Sequence, residues 1–417
     1  MKYSIVTFGC RVNQADSFQI EEQLVACGGA AASTRDADLV IVNTCSVTSS
    51  ADQGARQILR KIARENPGAR IVVTGCYATR RPDEVAGLAD TIQIVPNDRK
   101  DRLADEIGLS TSERFGDGDG ACGASIAPGL AGRTAFTLRV QTGCDQTCAY
   151  CIIPSTRGTG RSRSLRDVMA EVDRVRQAGY REVAITGVHL GSYGRDLSDG
   201  STLLGLLSEI ERHAADMRFR VSSLEPMDCS DEIVDLVGQS SSLAPHFHLP
   251  LQHASDSMLV AMRRPYNLEY YSRLVDRIRR EIPHASIGTD IIVGFPGETD
   301  EDFAVLGAYL RESPITHVHV FPYSDRPGTA ATALPHKLHG TIVRERARVI
   351  RAIGHELNKG FHQAQNGTVR AGLTIEDGSL VVTDNYLKVR IPPGRLRNEW
   401  VNVLLTNDSS GLVGAVV

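Results

Sequence analysis

The sequence predicts a three-part α/β chain: an N-terminal doubly wound parallel sheet, a central incomplete barrel of six strand–helix units, and a small C-terminal β-barrel. Three observations predict it. Over the first hundred residues short apolar runs alternate with helical periodicity, and from Ala135 onward the same alternation repeats six times. After about Asn366 the apolar runs become short and β-like, separated by Gly, Asn, Asp and Pro. A chain of 417 residues also exceeds the roughly 250–300 over which one core keeps growing, so several domains are expected. The expected boundaries are residues 1–105, a linker over 106–133, residues 134–355, and residues 366–417.

In the first part Tyr3–Phe8, Leu39–Asn43, Arg70–Thr74 and Ile92–Pro96 read as strands. Between them, Gln14–Cys27 stacks Phe18, Ile20 and Leu24 at helical spacing, and Ala51–Glu65 is a second helix. Cys10, Cys45 and Cys76 follow the first, second and third strands. In a parallel sheet those loops open on one carboxyl edge, where such folds bind ligands. Separations of about 30 residues thus become a cluster in space. Three converging thiols suit an iron–sulfur cluster with one iron lacking a protein ligand. The competing reading, that cysteines are small buried hydrophobes, suits Cys27 on its helix. The stretch 106–133 lacks periodicity and reads as a linker, and Cys122 within it is expected to be unliganded.

The central strands are Phe136–Gln141, Glu182–Thr186, Met217–Ser222, His246–Leu251, Ser286–Val293 and His317–Tyr323. The first intervening helix starts near Ser164, a good N-cap, and places Val168, Val172 and Val175 on one face. Just after the first strand, on the edge where parallel barrels keep their active sites, lies Thr142-Gly-Cys-Asp-Gln-Thr-Cys-Ala-Tyr-Cys-Ile-Ile-Pro154. A disulfide would strand one of its three thiols, and structural zinc wants four ligands. A cubic iron–sulfur cluster on Cys144, Cys148 and Cys151 leaves one iron open. Zinc and redox-thiol chemistry are the alternatives. The spacing C-x-x-x-C-x-x-C with aromatic Tyr150 before the last cysteine resembles the radical S-adenosylmethionine (SAM) superfamily. That resemblance implies SAM chelated at the open iron and Tyr150 near its adenine.

The other strand ends then become candidate SAM contacts. Gly187, in Thr186-Gly-Val-His-Leu-Gly191, lets backbone approach the methionine end. Ser222 and Glu225 follow the third strand, Glu225 offering an acceptor to ribose hydroxyls. Gln252 and His253 follow the fourth, and Asp290 opens the run to Gly294, Gly297 and Glu298 on the fifth. Each has a plain structural alternative as a turn, cap or ion pair. His246 and His248 read as barrel filling.

Composition bounds the partners. The chain is 41% hydrophobic and 23% charged with net charge −4, so no global basic field marks it for nucleic acid, and local patches must serve. Arg157, Arg161, Arg163 and Arg166 border the cysteine loop and are candidate phosphate contacts; Arg263 with Arg264, and Arg344–Arg351, form two more basic groups. In the tail, Thr368–Leu373, Leu380–Thr383, Tyr386–Ile391, Trp400–Leu405 and Leu412–Val417 suit a five-stranded barrel of the kind that binds oligonucleotides. Trp400 is expected in its core, with Lys388, Arg390, Arg395 and Arg397 as its basic side. No signal peptide or run of about 18 apolar residues is present, and nine cysteines without such a signal point to the cytoplasm.

With the three parts in order, nearly the whole chain resembles the methylthiotransferase family of radical SAM enzymes, the small barrel looking like their TRAM domain. Gly9-Cys-Arg-Val-Asn-Gln14, Asn43-Thr-Cys-Ser-Val-Thr48, Thr74-Gly-Cys-Tyr77, Cys151-Ile-Ile-Pro154 and Gly187-Val-His-Leu-Gly-Ser-Tyr-Gly194 look most like the MtaB-type tRNA enzymes. The resemblance implies a transferase that converts N6-threonylcarbamoyladenosine beside the tRNA anticodon to its 2-methylthio derivative. It implies two 4Fe-4S clusters, SAM and a reducing electron donor. Cys144, Cys148 and Cys151 would hold the cluster that cleaves SAM, and Cys10, Cys45 and Cys76 the auxiliary cluster that carries sulfur. Leu251-Gln-His253 departs from the pattern, where relatives often carry serine after glutamine. A ribosomal-protein or isopentenyladenosine-tRNA methylthiotransferase is the alternative, and a metal-binding or electron-transfer scaffold the non-enzymatic one.

Overall fold

A computed structural model describes residues 1–109, 127–129, 133–408 and 411–417. Cys122 and most of the expected linker lie outside the described residues. The chain forms two compact units: one of Met1–Ile126, Thr142–Gly160 and Ser324–Thr332, the other of Ala127–Gln141, Arg161–Tyr323 and Ala333–Val417.

The first unit is built on a five-stranded parallel sheet. Its order is Ala30–Ala31, Lys2–Thr7, Leu39–Thr44, Arg70–Gly75, Ile92–Ile94. The central strand Leu-Val-Ile-Val-Asn-Thr is buried along its whole length, as a strand covered on both faces must be. Its period of two sorts the side chains. Val40 and Val42 pack with Ile71, Val73 and the apolar face of helix Ser49–Glu65 (Ala55, Leu59, Ile62). Leu39 and Ile41 pack with Val72 and with Ile20 and Leu24 of helix Arg11–Ala26 on the other face. Thr48 caps helix Ser49–Glu65 by accepting from the Ala51 N–H at 3.2 Å. The edge strand Ala30–Ala31 is too short to show in the sequence pattern.

In the second unit six parallel strands follow one another in chain order. Phe136–Arg139, Glu182–Thr186 and Arg218–Val221 form one three-stranded sheet, and His246–His248, Ser286–Val293 and His317–Pro322 another. Isolated parallel bridges Phe219↔Leu243 and Ser223↔His248 join the two into one curved wall. Ser164 caps its helix as expected, accepting from the Asp167 N–H at 3.1 Å, and Val168, Val172 and Val175 are buried. The long helix Gly340–Ala364 lies close on the outside: a Cβ at Gly354 would stand 3.1 Å from Val318. Val318 therefore faces outward, and His317 and His319 face the concave side.

The tail closes into a five-stranded barrel in the order Val369–Ile375, Leu380–Thr383, Lys388–Arg390, Gly411–Val416, Trp400–Asp408. Val381, Leu387, Val389, Val403 and Leu405 fill it, with Phe361 from the preceding helix. Trp400 corrects the expectation of a core residue. It is half-buried and lies under the Arg218 guanidinium of the larger barrel, 4.5 Å from ring centroid to cation. Arg220 donates to the Asp384 and Thr383 carbonyls at 3.0 and 3.3 Å, and Asn385 donates to His284 O at 2.9 Å, so the small barrel is fastened to the larger one by polar contacts.

Candidate metal centre

Three of the six predicted metal ligands are preceded by a glycine in left-handed backbone, and the reason is room. A Cβ at Gly9 (φ +92°) would stand 2.5 Å from Cys45 Cβ and 2.6 Å from its Sγ. At Gly75 (φ +95°) it would stand 2.2 Å from Thr44 O, and at Gly143 (φ +74°) 1.8 Å from Thr159 O. These glycines set Cys76 and Cys144 against neighbouring backbone, and Cys10 against the Cys45 side chain.

In the first unit the sheet brings Cys10, Cys45 and Cys76 to one edge, as the strand order requires. Cys10 stands at the exposed N-terminus of helix Arg11–Ala26, while Cys45 and Cys76 are buried. Burial pushes the Cys45 thiol up to about 11, and the neighbouring Cys10 and Cys76 thiols push the same way. Cys10 and Cys76 thus both lie within electrostatic reach of Cys45. Around them the polar groups are dense and buried. Asn13 donates to the Phe8 and Thr44 carbonyls at 2.8 and 2.9 Å, tying the helix to two of the cysteine-bearing loops. Asp16 Oδ2 accepts from Lys100 Nζ at 2.9 Å and from Arg157 Nη2 at 2.8 Å. Asn97 Nδ2 lies 3.7 Å from Cys76 Sγ and donates to Thr156 O at 2.8 Å.

Arg157 and Thr156 close the segment that begins with Cys144, so this network bridges the two thiol sets inside one unit. Arg157 corrects the expectation of a phosphate contact: its side chain is 3% exposed and spent on Asp16 and Asn13. Burial works against its charge, but Asp16, then Cys76 and Cys10, raise its pKa above the ordinary arginine value. The cysteine loop itself is a compact turn. Cys151 N–H donates to Cys148 O at 3.1 Å, Cys144 N–H to Gly158 O at 3.0 Å, and the Gln146 N–H points at Cys144 Sγ at 3.4 Å. Cys144, Cys148, Cys151 and Tyr150 are all half-buried.

Both thiol sets fit a cluster. Thiolates are the donors such clusters take. In the same unit Thr74 Oγ1 and Asn97 Oδ1 are buried with no hydrogen-bond partner among the described residues.

In the second unit the predicted strand-end residues sit as follows. Gly187 is a close-approach glycine, with Gln141 Oε1 3.0 Å from where its Cβ would be. Ser222 Oγ is buried and unpartnered among the described residues. Glu225 pairs with the buried Arg264, whose Nε also reaches Tyr266 OH at 3.1 Å. Asp290 Oδ1 accepts from His248 Nε2 at 3.0 Å and His319 Nδ1 at 3.2 Å, contacts that hold its carboxyl well below the usual range against the cost of burial. His248 is therefore part of a polar cluster with Asp290 and His319 on the concave wall, beyond mere filling. Of the last basic group, Arg346 is buried against Glu298 and Asp300, and Arg348 pairs with Glu345.

Sequence reasoning missed Asp16, Lys100, Asn97, Asp52, Arg80 and Arg326. Their signal was weak: each sits among other polar or charged residues, as Lys100 does in Asn97-Asp-Arg-Lys-Asp-Arg102, and nothing in the spacing marks it for burial. The Gly-Cys pair, repeated at Cys10, Cys76 and Cys144, was readable and marks three of the six thiols.

Known proteins agree with this geometry. Residues 2–96 match the uncharacterized protein family UPF0004, and residues 138–310 match the Radical SAM superfamily. The threonylcarbamoyladenosine tRNA methylthiotransferase MtaB of Aquifex aeolicus is 35% identical over 415 residues, covering 97% of this chain and 100% of that protein. That of Thermotoga maritima is 36% identical, covering 92% and 89%. The tRNA-2-methylthio-N(6)-dimethylallyladenosine synthase of Streptomyces viridosporus is 31% identical, covering 94% and 81%. Among solved structures, the radical SAM methyltransferase TsrM of Kitasatospora setae shares the fold at TM-score 0.56 and 16% identity, covering 79% of this chain and 74% of that one.

The two matched regions and the thiol loop define a radical SAM enzyme. The chain belongs to the radical SAM tRNA methylthiotransferases, transferases that use SAM and two 4Fe-4S clusters. No described helix is long and apolar enough to cross a membrane.

Proposed function

We propose that the enzyme converts N6-threonylcarbamoyladenosine beside the tRNA anticodon to its 2-methylthio derivative, in the cytoplasm and with an external reductant. The observation that carries this reading is the end-to-end match to relatives named for that substrate, at 32–36% identity. The concave wall supports it. His248, Asp290 and His319 give that face polar, hydrogen-bonding character. Such a surface favours a threonylcarbamoyl substituent, with its carboxylate and hydroxyl, over an apolar dimethylallyl group.

When bound, the clusters and SAM supply the reducing electron, the radical, the sulfur and the methyl group that side chains alone cannot. The chain's own residues hold and shield them. Cys144, Cys148 and Cys151 are the proposed ligands on the SAM side, and Cys10, Cys45 and Cys76 those of the auxiliary cluster. Tyr150, Gly187, Ser222, Glu225 and Asp290 are the proposed SAM-facing groups: an aromatic face, a backbone approach, an orphaned hydroxyl and two carboxylates. The domain division proposed is 1–105, 134–355 and 366–417, with the exposed basic residues of the small barrel as the tRNA-facing surface.

The test is mass spectrometry of tRNA nucleosides from a deletion strain, with and without the gene restored. Loss and recovery of the 2-methylthio form of threonylcarbamoyladenosine is expected. Loss of the dimethylallyl counterpart instead, or of a ribosomal-protein modification with tRNA unchanged, would replace the substrate assignment.

A further inference from the structure

The thiol edge of the first unit is flanked by two buried charge clusters, and each holds more positive charge than negative. In one, Lys100 and Arg157 share the single carboxylate of Asp16; their side chains are 2%, 3% and 0% exposed. In the other, Arg80 and Arg326 share Asp52, each at 2.5 Å, and are 11%, 3% and 6% exposed. The second cluster touches the thiol edge through Ser46, next to Cys45, which donates to Asp52 Oδ1 at 2.7 Å and accepts from Arg80 Nε at 2.9 Å. The first reaches it through Asn13, which accepts from Arg157 Nη2 and donates to the Phe8 and Thr44 carbonyls beside Cys10 and Cys45, and through Asn43, two residues before Cys45, which accepts from Lys100 Nζ at 3.0 Å.

A buried surplus charge is costly unless something opposite fills the place beside it. Lys100 shows the strain: burial, then the repulsion of Arg157, lowers its pKa, while Asp16 and Cys76 resist. Arg326 Nε is a second symptom, a buried donor without a partner among the described residues. A four-iron cluster on three thiolates is itself an anion, and an anionic sulfur on its open iron adds another charge.

We propose that these four cations precharge the auxiliary site for an anionic sulfur ligand, with Arg157 and Lys100 setting both its affinity and the reduction potential of the cluster beneath it. The proposal rests on the assignment of Cys10, Cys45 and Cys76 to that cluster. It makes Arg157 and Lys100 positioning residues, acting through the cluster and touching no substrate. Arg157 also lies just beyond Cys144–Cys151, so one side chain serves the charge of one thiol set and the fold of the other.

The experiment uses the full-length holoenzyme with SAM added in excess to occupy the other cluster's open iron. Sodium sulfide is titrated while the auxiliary cluster is followed by electron paramagnetic resonance, and its midpoint potential is measured in the same samples. Arg157→Gln and Lys100→Met are each expected to weaken sulfide binding about tenfold. The same loss of charge should disfavour reduction by a similar factor, a fall of about 59 mV for a one-electron couple. Arg157→Lys restores most of both, and binding of neutral imidazole is unchanged in all variants. Unchanged sulfide affinity and potential in Arg157→Gln with full iron would overturn the proposal. Should both neutral variants lose the cluster, Arg157→Lys decides: retention of iron and sulfide binding supports the charge argument, and loss of iron there too sinks it. Wild-type enzyme with iron for a single cluster defeats the ligand assignment instead, a separate outcome.

Discussion

Cys144, Cys148 and Cys151 lie on a single loop closed by its own backbone hydrogen bonds, and all three are half-buried. Cys10, Cys45 and Cys76 come from three strand ends, meet only when the sheet is assembled, and run from exposed to fully buried. The difference is one of where the entropy of assembly is met. The loop brings its thiols together within a short chain segment, at small closure cost. The distributed triad is gathered by the same core that folds the domain. A loop site can be loaded and emptied as a local event, whereas a distributed site is coupled to the domain's stability and carries a buried charge network of its own. Such coupling suits the sulfur-holding role proposed for the distributed triad, as local closure suits the SAM exchange proposed for the loop.

The largest effect should come from removing one triad at a time. Replacing Cys144, Cys148 and Cys151 by Ala should abolish 5′-deoxyadenosine formation and leave about half of the iron. Replacing Cys10, Cys45 and Cys76 should also leave about half, yet keep SAM cleavage while eliminating methylthio insertion into tRNA. Iron analysis with product chromatography checks both. Equal loss of SAM cleavage in the two variants would erase the distinction.

How far each triad shows in the sequence follows from the same contrast. The loop triad is written in local spacing, C-x-x-x-C-x-x-C, and needs no fold to be seen. The distributed triad became legible only through the strand–helix alternation, which placed residues about 30 apart on one edge. The six barrel strands were legible for the same reason, from apolar runs at regular intervals. What stayed hidden was second-order. Asp16 and Lys100 are ordinary charged residues in sequence, and only the burial of helix Arg11–Ala26 against its sheet turns them into partners. Arg157 misled because a basic run next to an active site reads as solvent-facing until packing shows otherwise. Trp400 misled because aromatics usually fill small barrels; here Arg218 draws it to an interface.

Asp16 tests the coupling directly. Asp16→Ala leaves Lys100 and Arg157 buried without their carboxylate, which should cost about 3–5 kcal/mol of stability. The measurement is denaturant unfolding of the iron-loaded protein. Arg166→Ala, at an arginine 92% exposed, should change stability by less than about 0.5 kcal/mol. Auxiliary iron should be lost along with stability in the first variant and kept in the second. A shift no greater for Asp16→Ala than for Arg166→Ala would break the link between the distributed triad and the domain.

Removing the iron exposes a smaller, pH-dependent term. In the metal-free protein the folded pKa of Cys45 is raised from 9.0 to about 11, so folding favours the neutral thiol. The stabilisation is full below pH 9 and is lost as pH rises from 9 to about 11, while the unfolded chain ionises first. The loss amounts to about 2–3 kcal/mol. Chemical denaturation of the metal-free enzyme across that window should show the decline, and Cys45→Ala should remove it. Iron loading should run the other way, strengthening with pH, since each ligand must shed its proton.

The smallest and most selective perturbation is a single methyl group on the glycines beside the thiols. Gly9→Ala and Gly143→Ala both force an L side chain into left-handed backbone, a strain of about 1–3 kcal/mol. They differ in what the methyl meets. At Gly9 it meets the Cys45 side chain, so the auxiliary ligand is pushed off its position while the cysteine loop is untouched. At Gly143 it meets Thr159 O, a backbone atom that moves only if the loop opens, so SAM cleavage should fall while auxiliary iron stays. Gly158→Ala is the control: φ is +73°, yet nothing lies within 4 Å of the added carbon, so stability should drop by the backbone strain alone with both iron contents intact. Thermal unfolding paired with iron analysis separates strain from displacement. If Gly9→Ala behaves like Gly158→Ala, the close packing of Gly9 on Cys45 does not govern how the distributed triad holds its metal.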